Sequence, residues 1–414
     1  MKRAALPAIL LVSLLLSAWF AVSIRFGTNP DERGHRDYIR LLISHHGPIA
    51  FTPFTEDEKA KMAEAANPND SPYDRSETHQ PPLYYLLCIP VQLLSGGDFV
   101  AVRLVAAVIQ LVTIVLCWYA VRDLFPERPD LALGVAALVA FLPTQARLSG
   151  AINNDCLATL LCAAFCWRLG ALAARRQTVR DAIILGVIFG VGLLTKSTIL
   201  QLVPGMLFAY GIAVRGRLLS IQEALLRGGI AFGVGFLLAS PWLIRNMSLY
   251  GDPLALSIYR ATGPNFTPQL IMDTLHWSFA DYARNTGTLS FTTFWYMLPP
   301  NLLQVPLPLL VILLVLAGGG VLGTYRWATR TQDADAPRRA LAALALAAAF
   351  LVPFFVQFLL TVFQAQGRYF LPGLLPIALV TMLGWGTLVT PRWPAVGQAG
   401  VAVLLLGLTI SQLL

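Results

Sequence analysis

The sequence predicts an all-α polytopic membrane protein of about eleven transmembrane helices, with surface helices in its first external loop. Three observations carry that expectation. Of 414 residues, 56% are hydrophobic and only 13% are charged, against about 25% charged in an ordinary soluble domain; the mean hydropathy is +0.65. The apolar residues fall in long runs almost free of charge, and a helix needs about 20 of them to cross roughly 30 Å of hydrocarbon. The net charge of +8 gathers in alternate short loops between those runs, which is an orientation signal. A basic soluble chain would point to nucleic acid. The apolar runs exclude that reading, and with it a disordered chain or a secreted disulfide scaffold.

The first run, 6–24, follows Lys2 and Arg3. It has the form of a signal peptide with Ala21-Val22-Ser23 as a cleavage site, but reads better as an uncleaved first span. Ten further spans are expected at 101–121, 131–149, 155–174, 181–195, 198–214, 227–247, 301–324, 340–362, 369–389 and 395–414. The last reaches the end of the sequence, so no soluble C-terminal domain is expected. Residues 83–95 (LYYLLCIPVQLLS) are apolar but too short, since 13 residues make about 20 Å of helix, and Pro90 interrupts them. They are expected to lie near the membrane surface. Loop charge supports this. With 83–95 not crossing, Arg122/Arg128, Arg175/Arg176/Arg180, Arg215/Arg217/Arg227, Arg326/Arg330/Arg338/Arg339 and Arg392 all fall on the side of Lys2 and Arg3. The N-terminus is then cytoplasmic.

The whole chain, 1–414, reads as one transmembrane domain with two large external loops, 25–82 and 248–300. Loops of this size are usually functional. The first holds HRDYIRLLISHH (35–46), with Tyr38, Leu41 and Leu42 at helical spacing, EDEKAKMAEA (56–65) as a solvated helix, and NPNDSPYD (67–74) as turn chemistry. The second is rich in Thr and aromatics. Cys88, Cys117, Cys156, Cys162 and Cys166 are odd in number, without a CxxC pair, and lie in or beside apolar segments. They read as small apolar packers.

Chemistry-bearing residues gather on the external side. Asp31 and Glu32 follow the first span, and Asp31 shares a helix face with His35. A carboxylate there can serve as a general base or hold a metal; it can equally cap the helix that follows. His79 and Gln80 precede Pro81-Pro82, which fix the chain as it enters the surface helix. Asp155, in Asn153-Asn154-Asp155, either caps its span or faces the same site. Lys196, Arg245, Arg284 and Arg368 sit at external helix ends. Such charges either snorkel to lipid phosphates or serve a function. Acids and histidines beside cations at membrane depth suit a phosphate-bearing lipid headgroup. The chain has no Gly-rich phosphate loop, no HExxH and no GxSxG, so nucleotide hydrolysis, zincin proteolysis and serine-hydrolase chemistry lack support.

At these residues the chain resembles the GT-C membrane glycosyltransferases, which include protein O-mannosyltransferases, the aminoarabinose transferases of lipid A and a large set of little-characterised bacterial members. The resemblance covers most of the chain. It rests on PDE (30–32), HQPPLYY (79–85), NND (153–155), LLTKS (193–197), PWLIRN with YGDP (241–246, 250–253) and GRYFLP (367–372). It implies a GT-C-like fold and an inverting transfer of a sugar from a polyprenyl-phosphate donor to an acceptor hydroxyl outside the cytoplasm. Asp31 would be the catalytic base, and Glu32 follows it as in the mannosyltransferases. His35, His79, Gln80, Tyr84, Asp155, Lys196, Arg245, Arg368 and Tyr369 would bind substrate and phosphate. Where the aminoarabinose transferases carry Glu-Lys-Pro, this chain has His79-Gln80-Pro81. A divalent metal therefore stays open, with Asp31, His35 and His79 as candidate ligands. Trp277, Phe279, Tyr282, Trp295 and Tyr296 either stack on a sugar or form an interfacial belt. The acceptor is a glycan, lipid or protein of the cell envelope, and the location a plasma or inner membrane. The rival reading is a transporter or flippase of an anionic lipid-linked glycan. It would favour inverted repeats and broken helices at matching positions, and the sequence shows neither.

Overall fold

A computed structural model describes residues 2–64, 73–258, 267–298, 304–331, 335–389 and 392–413. Helices account for all the regular structure there, and no strand occurs among the described residues. Eight helical segments among them are long and apolar enough to cross a membrane: Ala4–Ser23, Phe99–Leu124, Asp155–Ala174, Ser197–Arg215, Ile221–Tyr250, Leu307–Arg330, Asp335–Leu359 and Gly367–Leu388. The remaining three expected spans correspond to shorter helices. One of them, 131–149, is split. Leu142 adopts an extended backbone before Pro143, as a residue ahead of proline tends to, so α6 (Pro129–Phe141) ends and α7 (Pro143–Leu148) begins.

The chain opens with α1 (Lys2–Ser23). The first loop then carries α2 (Glu32–Ser44), α3 (Glu56–Glu64) and α4 (Leu83–Leu94), where the sequence leads one to expect helices. Most of NPNDSPYD lies outside the described residues. α4 has 12 residues, about 18 Å. It buries Tyr84, Tyr85, Cys88 and Gln92 and exposes Leu86, Leu87, Leu93 and Leu94. That outward face is apolar, as a helix against lipid requires.

α5 (Phe99–Leu124) starts at Asp98, whose carboxylate accepts from the Val100 and Ala101 amides. α8 (Asp155–Ala174) is packed centrally and is mostly buried. α9 (Val179–Leu193) and α11 (Ile221–Tyr250) begin with capping boxes, Thr178 with Asp181 and Ser220 with Glu223. Between them runs α10 (Val203–Arg215), preceded by the 3-10 turn Ser197–Leu202. The second loop forms α12 (Pro268–Leu275) and α13 (Phe279–Trp295). Then follow α14 (Leu307–Arg330), α15 (Asp335–Ala349), α16 (Leu351–Leu359), the 3-10 turn Gly367–Gly373, α17 (Leu374–Leu388) and α18 (Pro394–Ile410).

α14 and α17 cross at Gly320 and Gly384, where a Cβ on either would overlap the other's backbone. Small residues let membrane helices approach this closely, since between helices in lipid packing replaces the hydrophobic drive. The polar residues collect at opposite ends. Arg175 with Asp123, Arg176 and Arg227 with Glu223, and Arg168 with Asp181 pair at one end. Asp31, Asp155, Lys196 and Arg368 pair at the other. The 20 residues of α8, about 30 Å, separate the two.

Candidate active site

The site is built where helix ends converge. Asp31 is the last residue before α2 and has a left-handed backbone, φ 58° and ψ 8°. Aspartate tolerates this region better than most residues. Its carbonyl accepts the first helical bond, from His35, at 3.0 Å, but its side chain makes no cap bond. The carboxylate turns instead to Arg368, which donates at 2.5 Å. Arg368 lies in the 3-10 turn before α17. Gly367 seats that turn against α13, because a Cβ there would overlap the Phe294 backbone.

Arg368 also reaches Asp155 at 3.5 Å. Asp155 opens α8 and accepts from Lys196 at 2.5 Å. Lys196 further donates to the Asn154 side chain at 3.2 Å. Two acids and two cations thus alternate in one chain of contacts, Asp31–Arg368–Asp155–Lys196. They differ in access. The Asp31 side chain is 45% exposed, against 11% for Asp155 and 5% for Arg368. Asp31 is the carboxylate of this set that an incoming group can reach.

The surrounding polar groups fix the frame. Tyr84 accepts from the Asn153 amide at 3.0 Å, and Tyr85 shares a 2.9 Å hydrogen bond with His35 Nδ1. Asn154 donates to Gln80 and to the Tyr85 hydroxyl, each at 3.4 Å. The Leu83 amide donates to the Leu194 carbonyl at 3.0 Å, tying the start of α4 to the end of α9. Tyr369 lies beside the Arg368 guanidinium and packs against Phe355 and Phe358. So His35, Asp155, Lys196, Arg368 and Tyr369 gather around Asp31, and Gln80 and Tyr84 join them through Asn154 and Asn153.

Two expected residues, Glu32 and Arg245, do not, and His79 stands at the edge of the site, within reach of the Lys196 charge. Glu32, the expected second catalytic acid, points away from Asp31 into the protein. Arg103 of α5 donates to both its oxygens, each at 2.7 Å, and the Gly27 and Ile152 amides donate to it as well. Both partners are fully buried, so Glu32 holds the loop and cannot reach a substrate. Arg245 donates to the Ile49 carbonyl and lies over the Trp242 ring. It clamps the first loop to α11 rather than joining the cluster. His79 Nδ1 bonds the Ser76 carbonyl at 2.8 Å, which makes it a brace of the loop. Arg284 pairs on the surface with Asp281. Tyr282 donates to the Leu359 carbonyl and Trp295 is buried, so these aromatics serve packing.

Electrostatics follow from this arrangement. Burial pushes the Asp31 carboxyl up, but the Arg368 charge and hydrogen bond outweigh it and hold it down at about 2. Burial pulls His35 down to about 3 and His79 to about 4, so both are neutral. Glu77 is pushed up to about 8 by burial and by the negative charge of Asp31.

The chain superposes on solved membrane proteins over nearly its whole length. ArnT from Cupriavidus metallidurans bound to undecaprenyl phosphate matches with a TM-score of 0.61 at 13% identity, covering 97% of this chain and 63% of that one. The apo state of the same enzyme gives 0.56 at 16% identity, covering 96% and 62%. The Archaeoglobus fulgidus oligosaccharyltransferase, in complex with Zn and sulfate, gives 0.51 at 13%, covering 98% and 53%. This chain has the GT-C fold. Residues 79–244 also match the family described as dolichyl-phosphate-mannose-protein mannosyltransferase. That stretch contains Asp155 and Lys196; Asp31 and Arg368 lie outside it. No curated protein matches the sequence. The chain spans about three-fifths of the length of the two ArnT structures.

Within the GT-C fold, Asp31, His35 and Glu77 each offer a ligand atom, all within 4.8 Å of one another. The oxygen and nitrogen donors suit a divalent ion such as Zn²⁺ or Mn²⁺. His35 is in the neutral form a metal needs, and a cation would relieve the two effects that raise Glu77. The set therefore fits a metal, with Glu77 in place of the expected His79. Sequence reasoning misses Glu77, Asn154, Tyr85 and Arg103 as site residues. Glu77 stands two residues before His79, and its burial is the signal the sequence does not carry.

Proposed function

We propose that the chain is an inverting glycosyltransferase. It moves a sugar from a polyprenyl-phosphate donor to an acceptor hydroxyl on the extracytoplasmic side of the cell membrane, with the N-terminus cytoplasmic. The observation that carries the proposal is the exposed Asp31 carboxylate paired with Arg368, which Asp155 links in turn to Lys196. The donor phosphate displaces carboxylates from Arg368 and Lys196 and takes their hydrogen bonds. Asp31 then loses the partner that keeps its pKa at about 2 and regains the basicity a general base requires. Donor binding thereby switches the base on.

Asp31 takes the proton of the acceptor hydroxyl. The oxygen attacks the anomeric carbon as the bond from that carbon to the phosphate oxygen breaks. The sugar inverts, and polyprenyl phosphate leaves with its added charge on Arg368 and Lys196. Glu32 and Arg103 keep Asp31 aimed. Asp31, His35 and Glu77 are the residues that would hold a divalent ion, which would supply positive charge against the leaving phosphate.

The test incubates purified protein in liposomes with radiolabelled polyprenyl-phosphate sugars and membrane extract as acceptor. Transfer of label with inverted anomeric configuration supports the reading. Movement of the intact lipid across the bilayer without turnover would identify a flippase instead.

A further inference from the structure

A second feature lies away from Asp31. A cavity of about 520 Å³ opens between α14, α15 and α17, and its lining is almost wholly apolar. Ala328, Ala342, Ala345 and Ala348 make its walls shallow, Trp295 closes one end, and Arg338 stands at the other. The α15 wall runs from Arg338 to Ala348, ten steps along the helix, about 15 Å at 1.5 Å per residue. That is half of a hydrocarbon core of roughly 30 Å, or one leaflet.

Arg338 is the informative residue. Its neighbour Arg339 donates to the Ala173 and Ala174 carbonyls at the end of α8. Arg338 has no such partner: its Nε is buried without a hydrogen bond, and it forms no ion pair among the described residues. A guanidinium beside an apolar groove at the membrane boundary is costly without an anion, and a phosphate matches its fork. The active-site donor cannot be that anion. Its phosphate belongs at Arg368, and the end of α8 beside Arg339 lies about 30 Å from Asp155 by the rise of that helix.

We infer that this groove binds one acyl chain of an anionic phospholipid from the leaflet opposite the active site, with its phosphate on Arg338. Charge and length both select this occupant: in a zwitterionic lipid the phosphate is already opposed by the headgroup's own cation, whereas an anionic lipid leaves its charge free for Arg338.

The probes are phosphatidylglycerol and phosphatidylcholine, and the readout is the lipid retained by purified protein in a neutral detergent, by native mass spectrometry. Wild type is expected to retain phosphatidylglycerol roughly tenfold better, as one charge-assisted pair would give. Arg338→Gln abolishes the preference. Arg326→Gln, which changes charge on the same side outside the groove, leaves it intact. Ala345→Phe fills the groove and lowers retention of both lipids. Equal retention of the two lipids by wild type overturns the inference. So does an equal loss of preference in Arg338→Gln and Arg326→Gln, which would mean that surface charge alone attracts the lipid.

Discussion

The Glu32–Arg103 pair separates placing a catalytic group from being one. Glu32→Gln keeps the shape of the side chain but leaves Arg103 fully buried without its counter-charge. Breaking a buried pair from one side costs about 3–5 kcal/mol. Adding Arg103→Met removes the stranded charge and recovers part of that loss: the single oxygen of the introduced glutamine can accept from one of the Gly27 and Ile152 amides, while the Ala21 and Ile24 carbonyls lose the donor that Arg103 gave them. Catalysis behaves differently. The two-pronged bond from Arg103 fixes the residue directly after Asp31, whose left-handed backbone has an easy alternative in the ordinary helical region. A misplacement of about 1 Å at a reacting group costs on the order of 100-fold in rate. We expect kcat to fall about 100-fold in both variants, or about 2.7 kcal/mol, with the donor KM unchanged. Unfolding midpoints in detergent and steady-state transfer from a labelled donor measure the two effects. If kcat recovers together with stability in the double variant, the pair is only structural. If Glu32→Gln is stable and wholly inactive, Glu32 acts on substrate and the positioning argument fails.

Asp31→Asn should abolish transfer while the protein still reaches the membrane in normal amount; retained turnover would remove Asp31 as the base. Gly367→Ala pushes the Arg368 turn off α13, so it should weaken donor binding more than it slows a bound donor, read as KM against kcat. His35 and His79 have folded pKa values of about 3 and about 4 against an ordinary 6.5. Their contribution to stability is whole above 6.5 and is lost as pH falls through the folded values, since the unfolded chain then binds protons that the folded chain refuses. Glu77 runs the other way: its contribution is whole below its ordinary 4.5 and is lost as pH rises toward about 8. Melting midpoints from about pH 4 to about pH 8 should therefore fall on the acid side in wild type and flatten there in His79→Gln. Mn²⁺ added to EDTA-treated protein should occupy one saturable site by electron paramagnetic resonance, lost in His35→Ala and Glu77→Gln and kept in His79→Ala.

The helices are legible because lipid imposes length and composition on a span, and the Asp31, Asp155, Lys196 and Arg368 cluster because sidedness puts all four at one end. What stays hidden depends on direction. Asp31 and Glu32 are adjacent, yet a single left-handed residue sends their carboxylates opposite ways. Arg103 lies inside an expected span, where nothing in the sequence names Glu32 as its partner across 71 residues. Arg245 reads as a charge at a helix end. In the fold, α11 runs 30 residues to Tyr250, about 45 Å, and carries Arg245 past the other helix ends to the first loop. The break at Leu142-Pro143 is written in the proline, but the apolar run continues through it and masks it.

The five cysteines carry a practical consequence. Cys88, Cys117, Cys156, Cys162 and Cys166 are free, and each is at most 1% exposed. A thiol reagent that needs contact with water finds almost nothing on the native surface. The chain is thus its own blank for labelling. A single cysteine placed at exposed Thr55, in the first loop, or at Glu127, near the far end of the bundle, would report through an impermeant maleimide on intact cells which face looks outward. No native residue would have to be removed first.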